Sequence, residues 1–134
     1  MVFTCSDTRT QETDTSGQLI RKLLEAQGHT VVEYHLVKDD PAQIQLWIMR
    51  GAVTDAVQAI IINGGTGISR RDSTFEAVDE MLEKRLAGFG EIFRLLTYQD
   101  IGSPAIMSRA TAGVIKGRVL FSTPGSENAV RLAM

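Results

Sequence analysis

The chain has 134 residues, 43% of them apolar and 22% charged, with a formal net charge of −2. That is one domain's worth of chain, long enough to bury a core without disulfide or metal staples, in a mixture typical of soluble globular proteins. The near-neutral balance argues against nucleic acid or an anionic membrane as partner, and no apolar run approaches the roughly 18–20 residues that span a bilayer.

The opening Met1-Val2-Phe3 lacks the basic region and long apolar stretch of a signal peptide. Val2 to Cys5 reads as a strand running into polar Ser6-Asp7-Thr8-Arg9. Cys5 is the only cysteine, so no intrachain disulfide forms and a reducing, cytoplasmic setting is expected. Thr15 and Gln18 have the spacing of a capping box, Leu19, Ile20, Leu23 and Leu24 share a helical face, and Gly28 marks the stop. Val31 to Val37 is rich in β-branched residues and predicts a second strand. Asp40 followed by Pro41 suits a helix cap with proline at the first position; Ile44, Trp47 and Ile48 make that helix amphipathic, and Gly51 weakens it.

Ala59-Ile60-Ile61-Ile62 is a short continuous apolar strand, the kind buried on both faces of a parallel sheet. It runs into Asn63-Gly64-Gly65-Thr66-Gly67, after which Ser73 and Glu76 repeat the capping-box spacing, with Ala77, Val78, Met81 and Leu82 facing inward. Gly88-Phe89-Gly90-Glu91 reads as an entry turn to a helical stretch that breaks at Gly102 and Pro104. Val114-Ile115 and Val119-Leu120-Phe121 flank Lys116-Gly117 in a tight hairpin, and Pro124-Gly125-Ser126 turns into a final helix. The helical pattern is still running at Met134, so both termini are expected to be trimmed. The alternation implies an α/β fold: a three-layer α-β-α sandwich over residues 1–134, with a mostly parallel sheet and a small hairpin near the C-terminus. Ligands in such sheets bind beyond the carboxyl ends of the strands, where Ser6-Asp7, Lys38-Asp39-Asp40 and the Gly64–Gly67 loop should converge.

The glycine loop carries the strongest signal. Glycines let backbone amides approach a ligand, and successive N–H groups form a concavity suited to phosphate; a turn that binds nothing would also use them. The loop matches neither the Walker A pattern nor the dinucleotide fingerprint. Asp39 and Asp40 after the second strand and Asp72 after the glycine loop should share one sheet edge. Carboxylates beside a phosphate site call for a cation between them, and Mg²⁺ held by one or two of them would supply it. Asp40 is better read as a helix cap, and Asp72 stands open between capping and metal. Arg70 and Arg71 could grip phosphate bidentately, although a solvated charge pair is the commoner case. Cys5 should pack as a small apolar residue, and His29 and His35 should lie at the surface or the sheet edge. Met49, Met81 and Met107 read as core filler.

These pieces, in this order, resemble the molybdenum cofactor biosynthesis proteins of the MoaB/MogA type, whose domain also forms the G domain of gephyrin. The resemblance rests on Ser6-Asp7-Thr8-Arg9, Asp14-Thr15-Ser16-Gly17, Gly64 through Thr74, Gly88-Phe89-Gly90-Glu91, Ser108-Arg109 and Pro124-Gly125-Ser126. Lys38 before Asp39, with Asp40 and Gly88–Glu91, points to the MoaB branch; Asn63 stands where relatives usually carry threonine. The resemblance implies adenylylation of molybdopterin by ATP with Mg²⁺. It assigns Asp39 and Asp72 to catalysis and metal, and Ser6, Asp7, Gly64, Gly65, Thr66, Gly67, Arg70, Ser108, Pro124, Gly125 and Ser126 to binding. It also implies a homo-oligomer, trimer or dimer of trimers, and contact with other cofactor-assembly proteins. The alternative is a non-catalytic molybdopterin- or nucleotide-binding protein in the same pathway.

Overall fold

A computed structural model describes residues 1–69 and 72–134. Its strands are β1 (Val2–Cys5), β2 (Tyr34–Val37), β3 (Ala59–Asn63), β4 (Lys84–Arg85), β5 (Thr111–Ile115) and β6 (Arg118–Thr123). Its helices are α1 (Thr15–Ala26), α2 (Pro41–Val53), α3 (Thr74–Asp79), α4 (Ala87–Ile101) and α5 (Glu127–Ala133), with a 3₁₀ turn at Ser103–Met107. The six strands form one sheet in the order β2-β1-β3-β6-β5-β4. The first four run parallel, and the β4–β5 and β5–β6 pairs are antiparallel. This is the expected α/β architecture.

Period-two alternation between two covered faces explains why β3 reads as a continuous apolar run and why β1 is buried throughout. Phe3, Cys5, Ile60 and Ile62 join the core cluster built with Ile44, Ile48 and Ala52 of α2 and Ala77 and Val78 of α3. Val2 and Ile61, one residue out of phase, join Ile20 of α1 and Val130 of α5. Both faces of the parallel strands are therefore covered. Among the described residues no helix is long and apolar enough to cross a membrane.

Several expected boundaries move, each for a physical reason. The second strand begins at Tyr34 rather than Val31: β2 lies at the edge of the sheet, and its one partner, β1, has four residues, paired from Val2↔Tyr34 to Cys5↔Val37. The cap of α1 is Asp14, which accepts from the Gly17 N–H, while Gln18 donates to the Gln11 carbonyl instead of closing a box with Thr15. Gly51 has a packing role in α2: its missing side chain is what lets the helix close on the sheet. A Cβ there would lie 2.8 Å from Met1 Sδ and 2.9 Å from Ile60 Cδ1. Gly88–Glu91 lies within the first turn of α4 rather than ahead of it.

Other expectations hold. Asp40 caps α2, accepting from the Gln43 N–H at 3.0 Å, with Pro41 next. At the hairpin, Lys116 and Gly117 both take positive φ, 46° and 74°, the twist that two-residue hairpin turns need. Cys5 is buried, and burial pushes its thiol up to about 12, so it packs as an apolar residue. His35 lies on the edge strand and stacks on Trp47 with 3.9 Å between ring centroids. Met49 and Met81 pack against the core, but Met107 is 47% exposed and is no core filler. It follows Pro104 in a 3₁₀ turn that lies over the strand ends.

Candidate functional site

The chain leaves β1 to one side, toward β2, and returns to the other, toward β3. The topological switch point therefore falls between β1 and β3. A cleft of about 540 Å³ opens there, bounded by Ser6, Asp7, Thr8 and Arg9 after β1, Asp39 after β2, and Gly64–Gly67 with Asp72 after β3. It is also lined by Phe93, Thr97 and Ile101 of α4, the 3₁₀ turn with Met107, Ser108, and Pro124–Ser126 after β6. Every described residue singled out for catalysis or binding lines this one cleft. Arg70 and Arg71 lie outside the described residues. Lys38 and Asp40 follow β2 but do not line it.

The glycine loop owes its shape to close approaches. Gly64 has φ 104°, and a Cβ on it would lie 2.5 Å from the Cys5 carbonyl oxygen. Its N–H is already donated to the Thr123 carbonyl at 2.9 Å, so Gly64 contributes conformation rather than a donor. Gly65, at φ 62°, sits where a side chain would run into Thr74 Oγ1 and come within 2.7 Å of Asp39 Oδ2. A Cβ on Gly67 would meet Asp72 Oδ2 at the same separation of 2.7 Å. Glycine at 65 and 67 thus lets two carboxylates lie directly against the loop.

Asp39 is held from one side. Its Oδ1 accepts from the Ser73 N–H at 3.2 Å, from Ser73 Oγ at 3.0 Å and from Thr74 Oγ1 at 3.4 Å. The expected Ser73–Glu76 box at α3 does not form, since the Ser73 hydroxyl is spent on Asp39 and Glu76 turns to Arg109. Asp72 Oδ2 accepts from the Ser69 N–H at 2.9 Å, a local turn that fixes the carboxylate beside Gly67. Asp7 Oδ1 accepts from the Asp39 N–H at 3.3 Å and ties the first loop to the second.

Two arginines hold the cleft together, and sequence reading gave neither a role. Arg9 donates through Nη1 to Asp14 Oδ1 at 3.0 Å and to Ser16 Oγ, and through Nη2 to the Gly125 carbonyl at 2.8 Å. It joins the first loop, the start of α1 and the last loop. Arg109 grips the glycine loop from behind. Their backbone partners are far away in sequence, so no local spacing marks them. The polar layer beneath is buried: Asn63 Nδ2 donates to Thr4 Oγ1 at 3.2 Å and Ser16 Oγ at 2.8 Å.

Fold and cleft together define an open α/β protein with a cleft at the sheet's switch point, the place where such sheets take ligands. The family described as a probable molybdopterin binding domain matches residues 1–134. The chain is 58% identical over 135 residues to the molybdenum cofactor biosynthesis protein B of Halalkalibacterium halodurans, covering 100% of this chain and 79% of that protein. To the protein of the same name from Bacillus subtilis it is 54% identical over 134 residues, covering 99% and 79%. A crystal structure of a molybdenum cofactor biosynthesis protein B superposes with a TM-score of 0.97 at 52% identity, covering 99% of this chain and 83% of that one. The tungsten cofactor synthesizing protein MoaB of Pyrococcus furiosus follows at 0.86 and 37%, covering 98% and 84%. The chain belongs to the molybdopterin binding domain family of molybdenum cofactor biosynthesis proteins.

Proposed function

We propose that the chain adenylylates molybdopterin, using ATP and Mg²⁺ and releasing pyrophosphate, as a step in making the molybdenum cofactor. The observation that carries this reading is the meeting of the glycine loop with Asp39 and Asp72 in one cleft, in a chain of this family. In that reaction the terminal phosphate oxygen of molybdopterin attacks the α-phosphorus of ATP. The bond from that phosphorus to the bridging oxygen breaks, and pyrophosphate departs with the electron pair.

Such a transfer needs positioning and charge stabilisation rather than a protein nucleophile. This suits a cleft whose only thiol, Cys5, is held protonated by burial, at about 12. Loop amides would hold a phosphate. Asp39 and Asp72 would hold Mg²⁺, which takes one or two carboxylates and completes its shell with water and phosphate oxygens. Asp39 and Asp72, lying against Gly65 and Gly67 of the loop, are the two carboxylates that demand allows. Held there, the ion would supply charge neutralisation for the phosphates. Phe93, Ile101 and Met107 offer an apolar wall to a flat ring, and the polar loops at Ser6–Asp7 and Pro124–Ser126 line the same cleft.

The full chain mixed with ATP, Mg²⁺ and molybdopterin should release pyrophosphate only when all three are present. Binding of molybdopterin without release would overturn the reading and leave a carrier in its place. The proposed setting is the cytoplasm.

The same reading includes a homo-oligomer, trimer or dimer of trimers. Ile92, Leu95, Tyr98 and Ile101 of α4 and Ile106 of the 3₁₀ turn are all more than half exposed, the sort of apolar surface a partner copy covers. Sedimentation at micromolar concentration should give a mass above the 14.7 kDa of one chain. A monomer profile would remove this part of the proposal.

A further inference from the structure

We infer that Arg109 is a positioning residue that holds both ends of the Thr66–Asp72 loop and so sets the Asp72 carboxylate against Gly67 in the cleft. It stands just before β5. Its Nε donates to the Thr66 carbonyl at 3.2 Å, and its Nη2 donates to the Asp72 carbonyl at 3.1 Å and to the Gly67 carbonyl. Its Nη1 donates to the Glu76 carboxylate, and the guanidinium carbon lies 4.9 Å from the centroid of the Phe75 ring. One planar group therefore touches the start of the loop, its close, and the first turn of α3.

Two consequences follow from geometry. A trans peptide points its C=O and the next N–H in opposite directions. Fixing the carbonyls of Thr66 and Gly67 on the arginine thus turns the N–H groups of Gly67 and Ile68 away from it. Fixing the Asp72 carbonyl as well sets the backbone from which its carboxylate reaches over Gly67. The loop's own bonds, Asp72 N–H to the Ser69 carbonyl and Thr74 N–H to the Gly65 carbonyl, then close within that frame.

Arg109 is not among the residues lining the cleft, and its three nitrogens are all engaged with protein. It acts through the loop and not on the ligand. Lysine could not replace it, because a point charge lacks the planar fork that spans three carbonyls. The hydrogen bond from Arg109 also lowers the Glu76 carboxyl from its ordinary value.

The kinetic consequence rests on the adenylyl-transfer reading, but the structural one does not. The test uses Arg109→Lys and Arg109→Ala in the full chain. Hydrogen exchange should quicken in the segment 64–74 while the central strands keep their protection. Pyrophosphate release should fall by about 100-fold, the scale expected for displacement of a reacting group by an ångström. The Mg²⁺ concentration giving half-maximal release should rise, and added guanidinium should restore part of the release in Arg109→Ala. Unchanged exchange at 64–74 would overturn the inference. So would faster exchange spread equally through the sheet, which marks general destabilisation. If the unaltered chain releases no pyrophosphate, the adenylyl-transfer reading alone falls, and the exchange pattern still decides the role of Arg109.

Discussion

Replacing Asp39 by asparagine is expected to cut molybdopterin-dependent pyrophosphate release by about 100-fold or more, the loss typical of removing one preorganised electrostatic contact, with the fold retained. The amide keeps the shape of the carboxyl, and its oxygen can still accept from the Ser73 N–H and hydroxyl and from Thr74 Oγ1. What disappears is the negative charge beside the glycine loop. Asp72→Asn should behave alike, since its oxygen can still accept from the Ser69 N–H. Alanine at 39 is the instructive contrast. It would lose the charge and also leave the start of α3 without its acceptor, adding about 1 kcal/mol of destabilisation on the scale of a lost cap. Release assays paired with thermal melts separate the two effects. If both asparagine variants release pyrophosphate within a few-fold of the unaltered chain, the carboxylate charges play no part in the chemistry.

Much of the fold was legible because local signals and tertiary demands agree. The apolar run at Ala59–Ile62 needs burial on two faces, and the sheet supplies it. Asp40-Pro41 is a cap by residue type, and it caps. The site was legible as a place: strand ends with glycines and acids beyond them meet at the switch point of a parallel sheet.

Its supporting contacts were not legible. At the start of α1, Asp14 and Thr15 are both good cap residues, and sequence spacing favours Thr15. The choice falls to Asp14 because Tyr34, twenty residues on, and Arg9 both point their donors at it. Ser73 fails as a side-chain cap because Asp39, 34 residues earlier, competes for its hydroxyl. Arg9 reaches a carbonyl 116 residues away, and no periodicity encodes a bond of that span. Long-range hydrogen bonds of this kind shape the cleft, and they need the folded sheet before they exist.

Asp14→Ala is expected to be the most destabilising single change in the support of the cleft, by about 3 kcal/mol, the lower end for removing one partner of a buried pair. Asp14 is fully buried. Its Oδ1 accepts from Arg9 Nη1 at 3.0 Å, Ser16 Oγ at 3.3 Å and the Gly17 N–H at 3.1 Å, and its Oδ2 accepts from the Tyr34 hydroxyl. Gly17 leaves the room, because a Cβ there would collide with the carboxylate and lie 2.6 Å from the Tyr34 oxygen. The lower figure applies because the Arg9 side chain is 30% exposed and can recover water when its partner goes. For a chain of this size the loss corresponds to a fall in Tm of about 10 °C. Asn at 14 should recover part of it by keeping one acceptor and the shape.

Acid provides the sharper test. Burial by itself would raise the Asp14 carboxyl, but hydrogen bonds from Thr4, Tyr34, the Gly17 N–H and Arg9 outweigh it and hold the group below its ordinary value of 3.8. A carboxyl lowered by folding contributes stability that is present above the unfolded value and is lost as pH falls through the folded one. The advantage of the native chain over Asp14→Asn should therefore be constant near neutrality and shrink once the pH drops below about 3.8. Denaturant melts of the two chains between pH 7 and pH 2.5 would show it. A difference that stays constant through that range would mean that shape and not charge makes Asp14 the keystone joining Arg9, and through it the loop at Gly125, to the start of α1.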